Sequence, residues 1–248
     1  MLWIVRAVCT SKIAATLCMG VVAFLGDHIV ERSALPEDMR AVVDNMTHGA
    51  IGLLSWHIVT AHLRDLSLSM RVCEVLFCGL IASAVDLDHF AAARSFRIQD
   101  ARQLSSRSPM HCTSVTLAVS GLMLLLAHVF QWPSLHHFTW ILVAAVVGHH
   151  LRDATRRGLW LCPFGSSPPI PYTGYMVGCM LLPHVVPSLM QWTQLTHHPA
   201  TSPSVELVVS VTEESLTGLV QFQANELSSR GRQKPCVWKM GFRFSLQQ

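Results

Sequence analysis

Aspartate and histidine keep company along this chain. Asp27 precedes His28, Asp44 stands four residues before His48, Asp86 and Asp88 lead into His89, and His149-His150 stand just before Asp153, with His111 between the last two groups. Fourteen histidines against fifteen acidic residues is a high ratio. Imidazole and carboxylate without thiolate form a donor set for zinc, manganese or iron, and such sites are commonly catalytic, with open positions. The spacing suits ligands. Asp44 and His48, like His149 and Asp153, are four residues apart and share one helix side, and His150 is three from Asp153. Asp86-Leu-Asp88-His89 sets three donors on one turn, pointing different ways. We read His48, Asp86, Asp88, His89, His111, His149, His150 and Asp153 as metal ligands, with Asp86 or Asp88 as a general base. Two adjacent metals would suit hydrolysis of a phosphoester or amide. Asp27, Asp44 and His184 are read as supporting residues behind the ligands. A plainer reading stands beside this one. Ionisable groups at helix ends can reach out to the interface, and Asp27, Asp44 and Asp153 could cap helices or pair with nearby arginines. His184, between Pro183 and Pro187, could equally be a packed histidine at a kink. His128, His136, His137, His197 and His198 read as surface residues.

The elements that must carry these groups are membrane helices. Only 13% of residues are charged, about half the roughly 25% of a soluble domain, 51% are apolar, and mean hydropathy is +0.39. The net charge of +3 is too small to imply a nucleic acid or other anionic partner. The implied partner is the lipid bilayer. Six apolar runs stand out, near 13–30, 48–63, 72–93, 112–130, 138–150 and 174–192. A bilayer asks for ~20 residues per helix, so the second run is borderline and the fifth short. The predicted fold is all-α: a transmembrane bundle of about six helices over residues 1–192, with a polar, poorly ordered tail over 193–248 that holds a short strand near 205–212. The first run, after Arg6 and Lys12, resembles a signal anchor but lacks a small-residue cleavage site, and it is read as a helix. In an antiparallel bundle, the ends bearing Asp27, Asp44, Asp86, His111 and His149 all lie on one side of the membrane. Once the distant tail is set aside, nine lysines and arginines flank that side and four the other, which places it in the cytoplasm. Trp160 and Trp192 read as interfacial anchors, and the apolar loop Gly158–Gly165 as a segment beside the cluster that could roof it. The eight cysteines form no Cys-x-x-Cys pair, so no disulfide framework or zinc finger is read.

Six motifs in this order carry a resemblance: Asp44-Asn-Met-Thr-His48, Val85-Asp-Leu-Asp-His-Phe90, His111-Cys-Thr-Ser114, His149-His-Leu-Arg-Asp153, Gly158-Leu-Trp-Leu-Cys-Pro-Phe-Gly165 and Leu182-Pro-His184. From about residue 16 to 192 the chain resembles the transmembrane protein 267 family of animal multi-pass proteins. More distantly it is similar to bacterial inner-membrane proteins predicted to be metal-dependent hydrolases. That similarity implies ligands at His48, Asp86, Asp88, His89, His111, His149 and Asp153, and zinc as the cofactor. Two positions depart from the bacterial pattern: Ser106 stands where a further histidine is usual, and Met110 where a threonine is. The lost histidine implies a smaller metal site or a degenerate enzyme. The functional expectation is a hydrolase acting on a lipid or other phosphoester at the membrane face. The alternative is a non-catalytic assembly or trafficking protein that keeps a structural Asp/His core. An ion or proton path ranks last, because the polar residues stop at one face.

Overall fold

Each apolar run becomes a helix, and the polar punctuation sets the breaks. The computed structural model describes residues 12–32, 34–63, 66–104, 107–194, 219–224 and 236–241. The helices are α1 (Lys12–Arg32), α2 (Glu37–Thr60), α3 (Leu68–Ala84), α4 (Leu87–Ala93), α5 (Ile98–Arg102), α6 (Thr113–Val129), α7 (Pro133–Arg157) and α8 (Tyr172–Thr193), with a 3₁₀ turn at Pro109–His111. Pro36 and Trp132 stand at the N-caps of α2 and α7, and Ser67 accepts the Met70 N–H to start α3. The all-α reading holds for this unit, Met1–Leu195. The second unit, Thr196–Gln248, contains an antiparallel pair of strands, β1 (Leu219–Ala224) and β2 (Cys236–Gly241), with Leu219 opposite Gly241. The strand expected near 205–212, His197 and His198 lie outside the described residues.

Lys12–Glu31, Leu68–Ala93 and Tyr172–Thr193 are long and apolar enough to cross a membrane, and Thr113–Val129 is apolar but shorter. The helices α2 and α7 are as long, at 24 and 25 residues, but more polar. Their place in the bundle explains this. Helix α2 packs on α1, α3, α7 and α8, while α7 packs on α2, α3, α6 and α8, so their polar groups meet protein rather than lipid. The fifth run, 138–150, is short only in hydropathy: the helix itself extends beyond it at both ends, from Pro133 to Arg157.

Small residues bring α2 and α3 together. A side chain at Gly79 would strike Leu53 and the Gly49 carbonyl, and one at Gly52 would strike Ala82. This close crossing of glycine on glycine is how membrane helices gain contact without a hydrophobic driving force. The core between them and α7 holds Trp56, Cys78, Ala82, Ala144, Ala145 and Val186, all essentially inaccessible. Leu17, Val21, Leu80, Leu122 and Leu125 point outward and are exposed, as lipid-facing side chains are.

The bundle end opposite the Asp/His groups corrects three histidines. His137, expected at the surface, lies 3.0 Å from the buried Glu74 carboxylate, which also accepts the Trp56 indole N–H at 3.0 Å. His136 meets Thr193 at 2.9 Å and accepts the Trp140 N–H. His184 does not face the Asp/His cavity: its Nε2 lies 2.9 Å from Thr16, and its ring packs edge-on against His62. It belongs to the far end because α8 runs antiparallel to α7 and places its C-terminal half there.

Candidate metal centre

The site begins with a break in a helix. After Ala84 the α3 backbone tightens, and the Asp86 N–H bonds to Ser83 rather than one residue further back, to Ala82. The Ala82 carbonyl is thereby free to meet His149 Nδ1 at 2.8 Å. A carbonyl only accepts, so Nδ1 carries the proton and the Nε2 lone pair is turned outward. The same logic fixes His111. Its Nδ1 faces Ser108 Oγ at 3.1 Å and Asp88 Oδ1 at 3.4 Å, which leaves Nε2 as the free donor atom. Asp88 is held in turn by the Met110 N–H, 2.7 Å from Oδ2.

Four atoms then converge: Asp86 Oδ1, His111 Nε2, His149 Nε2 and Asp153 Oδ2. The two imidazole nitrogens are 3.2 Å apart. His111 Nε2 is 3.4 Å from the Asp86 oxygen and 3.2 Å from the Asp153 oxygen. His149 Nε2 is 3.5 Å and 3.3 Å from the same two atoms. A tetrahedron with bonds of ~2.05 Å, as in zinc sites, has an edge of ~3.3 Å. Five of the six edges of this quartet fall on that length, and all four atoms lie within 4.8 Å of one another. The donor set therefore fits a tetrahedral divalent cation. It also fits poorly without one. Burial alone would lower the pKa of the His111 imidazole, but the carboxylates of Asp153, Asp86 and Asp88 outweigh it and push it up to about 11, so a proton takes the place of a cation.

The remaining sequence candidates stand around this quartet. His48 is buried, stacks on His149 with ring centroids 3.7 Å apart, and directs Nε2 at the second oxygen of Asp153, 3.4 Å away. His89 lies 3.3 Å from Asp88 Oδ1 and forms a second possible group with Asp88 and His111. His150 is turned elsewhere. Its Nε2 meets the Met110 carbonyl at 3.0 Å and its Nδ1 meets Thr113 Oγ1 at 3.2 Å, so both nitrogens are engaged.

Asp27 and Asp44 stand outside the quartet, although Asp44 lines the same cavity. Arg152, only 2% exposed, donates Nε to Asp27 at 2.9 Å, lies 2.7 Å from the Asp44 carboxylate, and donates to the Asp44 carbonyl at 3.1 Å. Arg156 forks onto both Asp44 oxygens at 2.9 and 3.0 Å. The arginine reading of these two aspartates is the one the geometry bears out. Sequence reasoning counted Arg152 as a loop charge and so missed this clamp. The signal was its spacing: Arg152 and Arg156 are one helical turn apart, interleaved with His149 and Asp153 on α7.

A cavity of about 600 Å³ opens over the quartet, and Asp86, His111 and Asp153 form its floor. The Gly158–Gly165 loop walls one side. Trp160 bridges Cys112 and Ser166, Gly158 takes a positive φ of 69°, and Gly158, Leu159 and Trp160 face the cavity.

Relatives share this helical region. The chain is 33% identical to transmembrane protein 267 of Mus musculus over 187 residues, which is 74% of this chain and 85% of that one. It is 37% identical to the Xenopus laevis protein of the same name, over 73% and 84% of the two chains. With the Danio rerio protein it shares 37% over 190 residues, 74% and 83% of the chains. The chain belongs to the transmembrane protein 267 family. Members of this family are integral membrane proteins by name, and the three membrane-length apolar helices agree, so this one is a multi-pass integral membrane protein. No family model and no solved structure matches the chain.

Proposed function

We propose that this protein is a membrane-embedded, metal-dependent hydrolase whose site opens at the cytoplasmic headgroup level and acts on a phosphoester, lipid-borne or soluble. The observation that carries this is the quartet, in which five donor–donor distances of 3.2–3.5 Å match the edge of a tetrahedral zinc site. Asp86, His111, His149 and Asp153 would hold the ion. Bound there, zinc would supply Lewis acidity toward water and phosphoester oxygens. The chain's own residues do the rest. Ala82 and Asp88 fix the tautomers of His149 and His111, and His48 holds the outer oxygen of Asp153. Asp86 would ligate through Oδ1 only; its side chain lines the cavity, 26% exposed, and its second oxygen is the one placed to take a proton from water. Asp88, with Oδ2 held by the Met110 N–H and Oδ1 lying 3.3 Å from His89 and 3.4 Å from His111, is a positioning residue. His89, a third exposed on the cavity wall, is placed to return a proton to the departing oxygen. The resemblance of the same motifs to bacterial membrane-bound hydrolases supports the reading.

The test is the metal content of the detergent-purified full chain beside Asp86→Ala/His149→Ala. About one zinc per chain, lost in the double variant, is the expected result. A folded wild type that takes up no zinc, manganese or iron overturns the reading and leaves a structural Asp/His core.

A further inference from the structure

The cavity over the quartet has a second wall with the opposite charge. Arg40, Arg107, Arg156 and Arg157 all line it. Arg156 is neutralised by Asp44, as described, and Arg40 pairs loosely with Glu37, but among the described residues Arg107 and Arg157 have no such partner. Arg107 donates to the Gly158 and Arg157 carbonyls, which hold the guanidinium in place without cancelling its charge. Burial and the neighbouring charge of Arg157 both push the Arg107 guanidinium below its usual pKa, as expected of two cations held side by side. Arg40 reaches Glu37 only at 3.9 Å, and its Nε is buried without a hydrogen-bond partner. Among the described residues, no ion pair joins Arg107 or Arg157 to a carboxylate.

The cavity thus brings together carboxylates and imidazoles that suit a cation and two guanidiniums, Arg107 and Arg157, that no carboxylate pairs among the described residues, with Glu31 and Asp44 also in its lining. Arginines that served only to set membrane orientation would face headgroup water; these line the same 600 Å³ as the carboxylates. A ligand that answers both needs carries a compact, multiply charged oxyanion: one oxygen toward the floor, the others toward guanidinium forks. Phosphate esters have that shape, and the arginine fork matches them bidentately. The rim is apolar, with Val42, Met46 and Leu87 lining the cavity and exposed.

We propose that Arg107 and Arg157 form a phosphate subsite, holding the outer oxygens of a phosphate ester whose inner oxygen faces Asp86, His111, His149 and Asp153. The proposal rests on the metal reading above and names the chemistry that reading serves. Phosphate of this kind could come from a lipid headgroup or from a soluble ester, and the two differ in whether the apolar rim contributes.

The experiment is calorimetric titration of the zinc-loaded full chain in detergent with two probes, inorganic phosphate and monomeric dihexanoyl phosphatidic acid. Zinc content is measured on every sample. Arg157→Gln removes a charge that makes no ion pair among the described residues, and Arg107→Lys keeps the charge but loses the fork. The expected result is that Arg157→Gln weakens both probes about tenfold and Arg107→Lys about threefold, at unchanged zinc content. Tighter binding of the lipid than of phosphate by tenfold or more, with the same losses in the variants, supports the subsite and assigns it to a headgroup. Equal binding of the two, with those losses, supports it and assigns it to a soluble ester. Full zinc with wild-type binding of both probes by Arg157→Gln overturns the subsite and leaves the metal reading intact. A wild type without zinc overturns both.

Discussion

Two groups of buried charge sit at the same end of this bundle, on adjacent stripes of α7, and they are solved differently. In the clamp, Asp27 and Asp44 meet Arg152 and Arg156, two negative charges against two positive. In the quartet, Asp86 and Asp153 meet only imidazoles, with Asp88 close behind, and among the described residues no lysine or arginine pairs with any of the three. The clamp is complete as a protein. The quartet has no such fixed counter-charge among the described residues and has the donor set of a cation site. Neighbouring residues, Arg152 and Asp153, begin the two arrangements, so composition alone does not separate structural charge from functional charge; charge balance within a few ångströms does.

The comparison can be broken first at the clamp. Arg152→Ala should destabilise the protein by about 3–5 kcal/mol, because it leaves two carboxylates buried without a partner. Thermal unfolding in detergent reads this, and a chelator should not change the size of the loss. An Arg152→Ala protein as stable as wild type would mean that the clamp is not the structural half. At the quartet the expectation reverses. Chelation should lower wild-type stability by about 2.7 kcal/mol when zinc was at a hundredfold its Kd, while Asp153→Asn, which cannot hold the metal, should not respond to chelator at all. Equal responses of the two proteins would count against the site.

Acid sharpens the same contrast. The His111 imidazole is raised to about 11 without metal, so zinc must displace its proton. Zinc occupancy should therefore fall steadily as pH drops from 8 to 6, followed by equilibrium dialysis, with no unfolding. The positioning residue gives a smaller effect. Asp88→Asn should weaken zinc binding by about 10–100-fold without abolishing it, because the ring of His111 loses its fixed tautomer but keeps Nε2. Smallest of all, His184→Ala should cost about 1 kcal/mol through the lost Thr16 contact and leave zinc content unchanged. Loss of zinc in that variant would return His184 to the site.

Much of the fold was legible because the bilayer imposes one rule on every segment. Long apolar runs must be helices, and short loops must return them antiparallel, so the side of the membrane that gathers Asp86, His111 and His149 follows from counting spans. Interior helices blurred that count. The polar residues of α2 and α7 face protein, and hydropathy cannot tell a polar helix inside a bundle from a short one.

By itself, then, the sequence determined the class of the protein, the six runs, and the face on which aspartate meets histidine. Those depend on composition and on periods along one chain. Which aspartate pairs with arginine and which is left for a cation was decided only in the tertiary structure. His48 on α2 and His149 and His150 on α7 have the same chemistry. Only packing turns His149 Nε2 into the quartet, closes both nitrogens of His150 on Met110 and Thr113, and sets His48 behind Asp153. The carbonyl of Ala82, freed by a break at Asp86, aims His149, and no side-chain pattern records a backbone acceptor. Side-chain type is local, whereas the direction of a lone pair depends on what lies across the bundle.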